Sequence, residues 1–190
     1  MNKKCFWLLL PCILLPYFTL LLVAIVFLST DLAVFEFIMD RVFQENGLYI
    51  LVVLLIFCLL AVVFSITYVV LSIRKNWNPV SLAKCAMMIK WVQAPAYIAI
   101  FALGLILAIT LFTIPIALVF VLVDCLTLLL TGLLMITAAV IAVRQGIFRM
   151  KDICWVIILQ FVFCADVLVA TAFYRKLKKK AEQDEGNTVE

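Results

Sequence analysis

The feature that most constrains this chain is the stretch from Ala94 to Val143, in which Asp124 is the one charged residue. About 20 apolar residues in helical form cross a bilayer core, so the stretch is long enough for two crossings and a tight turn. Over the whole chain 68% of the residues are hydrophobic and 14% are charged, with a mean hydropathy of +1.29. An ordinary soluble domain has about 45–50% apolar and 25% charged residues, so we expect an integral membrane protein.

The apolar runs are continuous rather than alternating, which favours helices over a closed barrel. Five segments are near or above the length of a span: 6–28, 48–73, 94–113, 116–143 and 153–174. The sequence therefore predicts an all-α polytopic bundle of about five transmembrane helices in one domain, 1–174. The remaining residues, 175–190, are charged and poor in apolar side chains, which predicts a disordered tail.

A short amphipathic segment separates the first two predicted spans. Thr30 or Asp31 can cap it, apolar residues recur at every third or fourth position, and polar residues share another face. The apolar set is Phe35, Ile38, Met39 and Val42, and the polar set is Glu36, Asp40 and Gln44. The pattern is typical of a helix that lies in the membrane interface, and a solvated loop helix is the alternative.

Between the second and third spans, Asn78 and Pro79 form a good cap and first turn for a helix. The residues that follow carry two lysines on an otherwise apolar stretch, flanked by two tryptophans. Such residues favour the headgroup level of a bilayer. We expect four interfacial anchors: Trp77, Trp91, Lys84 and Lys90.

The distribution of Lys and Arg predicts the orientation, with one difficulty. An inside amino terminus puts nine basic residues in cytoplasmic segments, but five crossings leave the basic start of the tail outside. Either the fifth segment does not cross, or the protein inserts both ways round, or the tail is tolerated outside. A true fifth span is favoured because no Gly or Pro between Ile153 and Tyr174 could turn a re-entrant hairpin. Gln160 and Asp166 also lie about 120° apart on a continuous helix, so this segment is not amphipathic.

Two ionisable residues, Asp124 and Asp166, fall inside predicted spans. An Asp near a helix centre costs about 2.5–3.5 kcal/mol on insertion scales, so each is a candidate functional residue. Because spans four and five would run in opposite directions, we expect the two carboxylates to share a depth. Thr127 and Thr131 continue the face of Asp124. This stripe is either a helix-packing seam or, with Asp166, one wall of a proton or cation path.

Catalytic motifs are missing from the sequence. It has no His, no nucleophile elbow, no zinc-protease motif and no phosphate-binding glycine loop. Its seven cysteines include no C-x-x-C pair, so we expect neither a disulfide framework nor a metal site. We predict a non-enzymatic protein with no cofactor and no catalytic residue. The basic cluster beside the last segment is more typical of lipid anchoring than of nucleic-acid binding, so no nucleic-acid partner is expected.

Two stretches carry a resemblance to a known group. They are Lys75-Asn76-Trp77 with Ser81-Leu82-Ala83-Lys84, and Arg144-Gln145-Gly146-Ile147-Phe148 continuing through Lys151-Asp152-Ile153 to Trp155 and Phe163-Cys164-Ala165-Asp166. In these, the chain resembles small multi-pass membrane proteins of unknown function from anaerobic Gram-positive bacteria. The resemblance implies a bacterial plasma-membrane protein and transfers no activity or site.

Two classes of function fit the sequence. The first is a non-enzymatic membrane protein that packs against itself or a membrane-protein partner within the lipid bilayer. The second is a small proton- or cation-coupled transporter or channel subunit that uses Asp124 and Asp166. Five spans make a thin carrier, so the second class predicts a homo-oligomer or larger assembly.

Overall fold

The computed structural model describes residues 7–28, 32–44, 46–109, 113–160, 162 and 165–187, with side chains up to 183. A 3-10 turn, Trp7–Leu9, leads into seven α-helices: α1 Leu10–Leu28, α2 Ala33–Arg41, α3 Gly47–Arg74, α4 Pro79–Ala108, α5 Ile114–Arg144, α6 Met150–Leu159 and α7 Ala165–Asn187. The described residues form no strand, as the all-α prediction requires. Four helices in this part of the chain are long and apolar enough to cross a membrane: α1 with its 3-10 turn, α3, α4 and α5.

These four long helices form an up-and-down bundle. Consecutive long helices run in opposite directions, and the most extensive interface lies between α4 and α5. We call the end where α3 and α5 finish the basic end, since Arg74 and Arg144 lie there, and the opposite end the far end. One core cluster fills the basic half of the bundle, around Ala86 and Ala139, and a second one around Leu54 lies towards the far end.

Capping by asparagine starts two of the long helices. Asn78 Oδ1 accepts a hydrogen bond from the backbone N–H of Val80 at 2.9 Å, and Pro79 occupies the first turn, as predicted. From there α4 continues without a break to Ala108, so the helix that contains the third predicted span begins well before residue 94. Asn46 Oδ1 accepts from Leu48 N at 3.0 Å and so starts α3.

The short helix α2 lies at the far end, where it contacts α1. It has no buried residue, and its partly buried side chains, among them Phe35 and Ile38, pack on the core of the far half. A helix is therefore confirmed in this connection. The predicted cap residues, Thr30 and Asp31, lie outside the described residues.

The fifth predicted span, 153–174, is not one helix. It is divided between α6, which ends at Leu159, and α7, which begins at Ala165. The two helices are antiparallel: Lys176 Nζ lies 5.7 Å from the centroid of the Trp155 ring, and Lys180 Nζ lies 4.5 Å from that of Phe148. Each apolar arm has about ten residues and reaches about 15 Å, half of a bilayer core. The count of five spans is not confirmed.

Polar burial explains why the segment breaks without Gly or Pro. On one continuous helix Gln160 and Asp166 would point about 120° apart, so one of them would face away from the bundle. The structure instead buries both, at 0% and 1% exposure. The hairpin allows two polar side chains near its tip to leave the lipid-facing surface.

The tail predicted to be disordered, 175–190, is helical as far as Asn187, where α7 ends. Leu177 is fully buried in the core of the basic half, and Lys178 pairs with Glu182 one turn later at 3.6 Å. The contacts of Lys176 and Lys180 with aromatic rings fix the same helix against the start of the hairpin. Residues 188–190 lie outside the described part.

Reporter fusions test the hairpin. Because it enters and leaves at the basic end, the carboxyl terminus should lie on the side of the connection between α3 and α4. We expect green fluorescent protein fused after Glu190 to fluoresce and alkaline phosphatase fused there to be inactive, in bacterial cells. Alkaline phosphatase fused after Arg41 is the control and should be active. An active phosphatase at Glu190 would require a fifth crossing.

Candidate functional site

The most unusual feature within the bundle is an ion pair between α4 and α7. Lys90 Nζ lies 2.6 Å from Asp166 Oδ2, and the two side chains are 0% and 1% exposed. Lys90 is eleven residues after Pro79, which places the pair about 17 Å along α4 from its start. A charged group at that depth is expensive unless it is paired, and here each charge neutralises the other.

Two further polar side chains continue the face of Lys90 along α4. Gln93 and Tyr97 follow it at spacings of three and seven residues, which places all three on one side of the helix. Gln93 Nε2 donates to the carbonyl oxygen of Cys12 at 2.6 Å, and Tyr97 Oη donates to Gln93 Oε1 at 2.9 Å. This face therefore joins α4 to α1 as well as to α7.

The predicted anchors have different environments. Trp91 is 56% exposed, and its Nε1 donates to Thr171 Oγ1 of α7 at 3.1 Å. Trp77 packs edge-on against Tyr68, and Lys84 is exposed. Lys90 differs from the expectation of a headgroup anchor, because it is buried and paired with an acid from the hairpin.

The polar stripe on α5 is buried along its length. Asp124, Thr127 and Thr131 are 8%, 0% and 0% exposed. Thr127 Oγ1 donates to Val123 O at 2.7 Å, and Thr131 Oγ1 donates to Thr127 O at 2.9 Å. These bonds return to the helix's own carbonyl oxygens, as hydroxyl groups on packed membrane helices commonly do.

The two acids do not share a depth. Asp124 lines a cleft together with Ile100 and Gly104 of α4, whereas Asp166 contacts Lys90. Ten residues separate Lys90 from Ile100, which is about 15 Å along the helix. The expectation of a shared level assumed that residues 153–174 cross as one helix, and the hairpin removes that assumption.

Some buried polar atoms are unsatisfied within the described part of the chain. Asp124 Oδ1 and both side-chain polar atoms of Gln160 have no hydrogen-bond partner there. An unsatisfied buried polar group costs about 1–3 kcal/mol. Gln160 is 0% exposed and lies beside residues outside the described part, so Asp124, at 8% exposure, is the candidate for a contact from another molecule. Among the described residues no three His, Cys, Asp or Glu side chains lie together as a metal site.

Sequence reasoning identified Asp166 but not its partner. The available signal was the spacing of Lys90, Gln93 and Tyr97, which marks a polar face directed into a bundle rather than towards headgroups. Comparisons of the chain with protein-family models, with curated proteins and with solved structures found no match. The site must therefore be interpreted from its own geometry.

Removal of one charge tests the ion pair. We expect Lys90→Met or Asp166→Leu to lower the free energy of unfolding by about 3–5 kcal/mol, because each leaves a buried charge unpaired. The double variant should be markedly more stable than either single variant, since no charge remains. Unfolding in mixed micelles measures this.

The matched control is Lys84→Met, which removes an exposed lysine six residues earlier on the same helix. It should leave the unfolding free energy within about 0.5 kcal/mol of wild type. Equal losses for Lys84→Met and Lys90→Met would contradict the assignment, as would a double variant whose loss equals the sum of the single losses.

Proposed function

We propose that this chain is a non-enzymatic protein of the bacterial plasma membrane that acts by binding a membrane-protein partner or a second copy of itself. The four long apolar helices support the membrane location. The bacterial source rests on the sequence resemblance given above.

The proposed topology has four crossings and a re-entrant hairpin formed by α6 and α7. With an even number of crossings, the amino terminus and the basic part of α7 lie on one side. Arg41 is then the one Lys or Arg in a connection on the other side. This distribution agrees with the positive-inside rule, which five crossings would violate.

The observation that carries the binding function is the way the intramembrane polar groups are used. Lys90 and Asp166 form a buried ion pair, and Gln93 of α4 donates a hydrogen bond to a backbone carbonyl of α1. These contacts fix helices to one another. A carrier instead needs charged groups that reach a water-filled path. One cleft of about 370 Å³ between α1, α3 and α5 is lined almost wholly by apolar side chains.

A second candidate function is proton- or cation-coupled transport in an assembly. The polar face of α4 favours it, because this face begins at the ion pair and continues along the helix that packs most extensively on α5, which carries the stripe of Asp124, Thr127 and Thr131. The residues of the face are Lys90, Gln93 and Tyr97. Such a series of polar groups could relay a proton between the acids if the ion pair opened.

Reconstitution and cross-linking separate the two functions. For partner binding, we expect proteoliposomes with the purified protein to leak protons no faster than protein-free vesicles, as measured with an entrapped pH-sensitive dye. Cross-linking in intact cells should capture a defined complex with a second membrane protein or copy.

The substitutions Asp124→Asn and Asp166→Asn distinguish transport from partner binding. A proton or cation flux that either variant abolishes while the assembly stays intact would support transport and contradict the first proposal. Loss of the complex without any flux in wild type would support partner binding. A wild-type chain that cross-links to nothing would also contradict that proposal.

A further inference from the structure

A cleft opens between α4 and α5 on the far-end side of the ion pair. It has a volume of about 250 Å³. Small residues of both helices form part of its lining: Gly104, Ala108 and Ala117. Two large apolar side chains at its edge, Leu105 and Leu118, are each 57% exposed, so the cleft faces outwards from the bundle. We call it the Asp124 groove.

Asp124 is the one charged residue in the lining of this groove. It is 8% exposed, and its Oδ1 has no hydrogen-bond partner among the described residues. Lipid chains can fill the space, but they cannot donate a hydrogen bond or neutralise a carboxylate. Lipid can therefore fill the volume of the groove, but it leaves the carboxylate of Asp124 without a hydrogen-bond donor or a cation.

The described part of the chain places no cation beside Asp124. Lys90 is already paired with Asp166. Asp124 lies ten residues into α5, about 15 Å from its start and about 30 Å from Arg144 at its end. A second copy would present the same arrangement, with its Lys90 buried in the same way.

We propose that the Asp124 groove binds a transmembrane helix of a different membrane protein, and that this helix presents a Lys or Arg side chain to Asp124. This inference rests on the proposed partner-binding function and names the chemistry of the partner. Charge complementarity selects the cation, because an unpaired acid and an unpaired base each cost free energy in lipid and pairing them relieves both costs.

Gly104 provides the close approach that such a helix needs. A Cβ atom added there would meet its nearest neighbour, the side chain of Phe120, at 4.0 Å, which is ordinary van der Waals contact. The glycine is therefore not required by packing within the chain. Its smallness leaves room in the groove, as small residues do at contacts between membrane helices.

Binding of a synthetic helix tests the proposal. The probe is a Leu-Ala transmembrane peptide with one Lys about 7 Å from its centre, the depth of Asp124 on α5. The control peptide has Leu at that position. The full chain and the peptide carry a fluorescence donor and acceptor in phosphatidylcholine vesicles, and energy transfer is titrated against the mole fraction of peptide.

We expect the Lys peptide to bind at least tenfold more tightly than the Leu peptide. Asp124→Asn should remove this preference while keeping the shape of the side chain, and Gly104→Leu should weaken binding by filling the groove. Leu122→Asn is the matched control: Leu122 is 67% exposed on α5 and does not line the groove, so its replacement should leave the preference unchanged.

Equal binding of the two peptides to wild type would overturn the proposal, as would an unchanged Lys preference in Asp124→Asn. Helical content and melting of Asp124→Asn must match wild type, and Gly104→Leu serves as an independent variant. If the complex captured in cells survives Asp124→Asn, the groove assignment fails while partner binding stands. If wild type captures no complex, the proposed function itself fails.

Discussion

The buried pair of Lys90 and Asp166 determines how the part of the chain after α5 can be arranged. Neither charge tolerates lipid alone, and their side chains meet at 2.6 Å with almost no exposure. Asp166 therefore has to reach the basic half of α4, about 17 Å from its start. The segment that carries Asp166 enters at the basic end, so a short hairpin arm reaches that depth and α7 then returns. The break after Leu159 and the position of the basic tail both follow from this ion pair.

Much of the bundle could be predicted from the sequence. Length and hydropathy predicted the long helices that the structure contains, and Asn78 with Pro79 predicted the start of α4. The hairpin could not be predicted in this way, because the apolar content of residues 153–174 is the same whether they cross once or return. What distinguishes the two is a contact with Lys90, seventy-six residues earlier in the chain than Asp166. Periodicity within one segment carries no information about such a contact.

The candidate site, too, could be predicted from the sequence only in part. Composition alone identified Asp124 and Asp166 as the acids to explain, but assigning both to one path assumed equal depth. The structure places them in different environments. Asp166 has its cation within the chain, whereas Asp124 lines an outward-facing groove and its Oδ1 has no hydrogen-bond partner among the described residues. The internal pair joins α4 to α7. We propose that Asp124 directs an external contact, and on that proposal the two acids favour a protein that is assembled with others in the membrane.

A cross-link between α4 and α7 tests the central claim most directly. In a chain whose native cysteines are replaced by alanine, Trp91→Cys and Thr171→Cys should be joined by a short bis-methanethiosulfonate reagent, because Trp91 Nε1 lies 3.1 Å from Thr171 Oγ1. Ile106→Cys with Thr171→Cys should not react, since Ile106 lies about 22 Å further along α4. A cross-link from position 171 to position 106 and none to position 91 would contradict the hairpin and the ion pair that holds it.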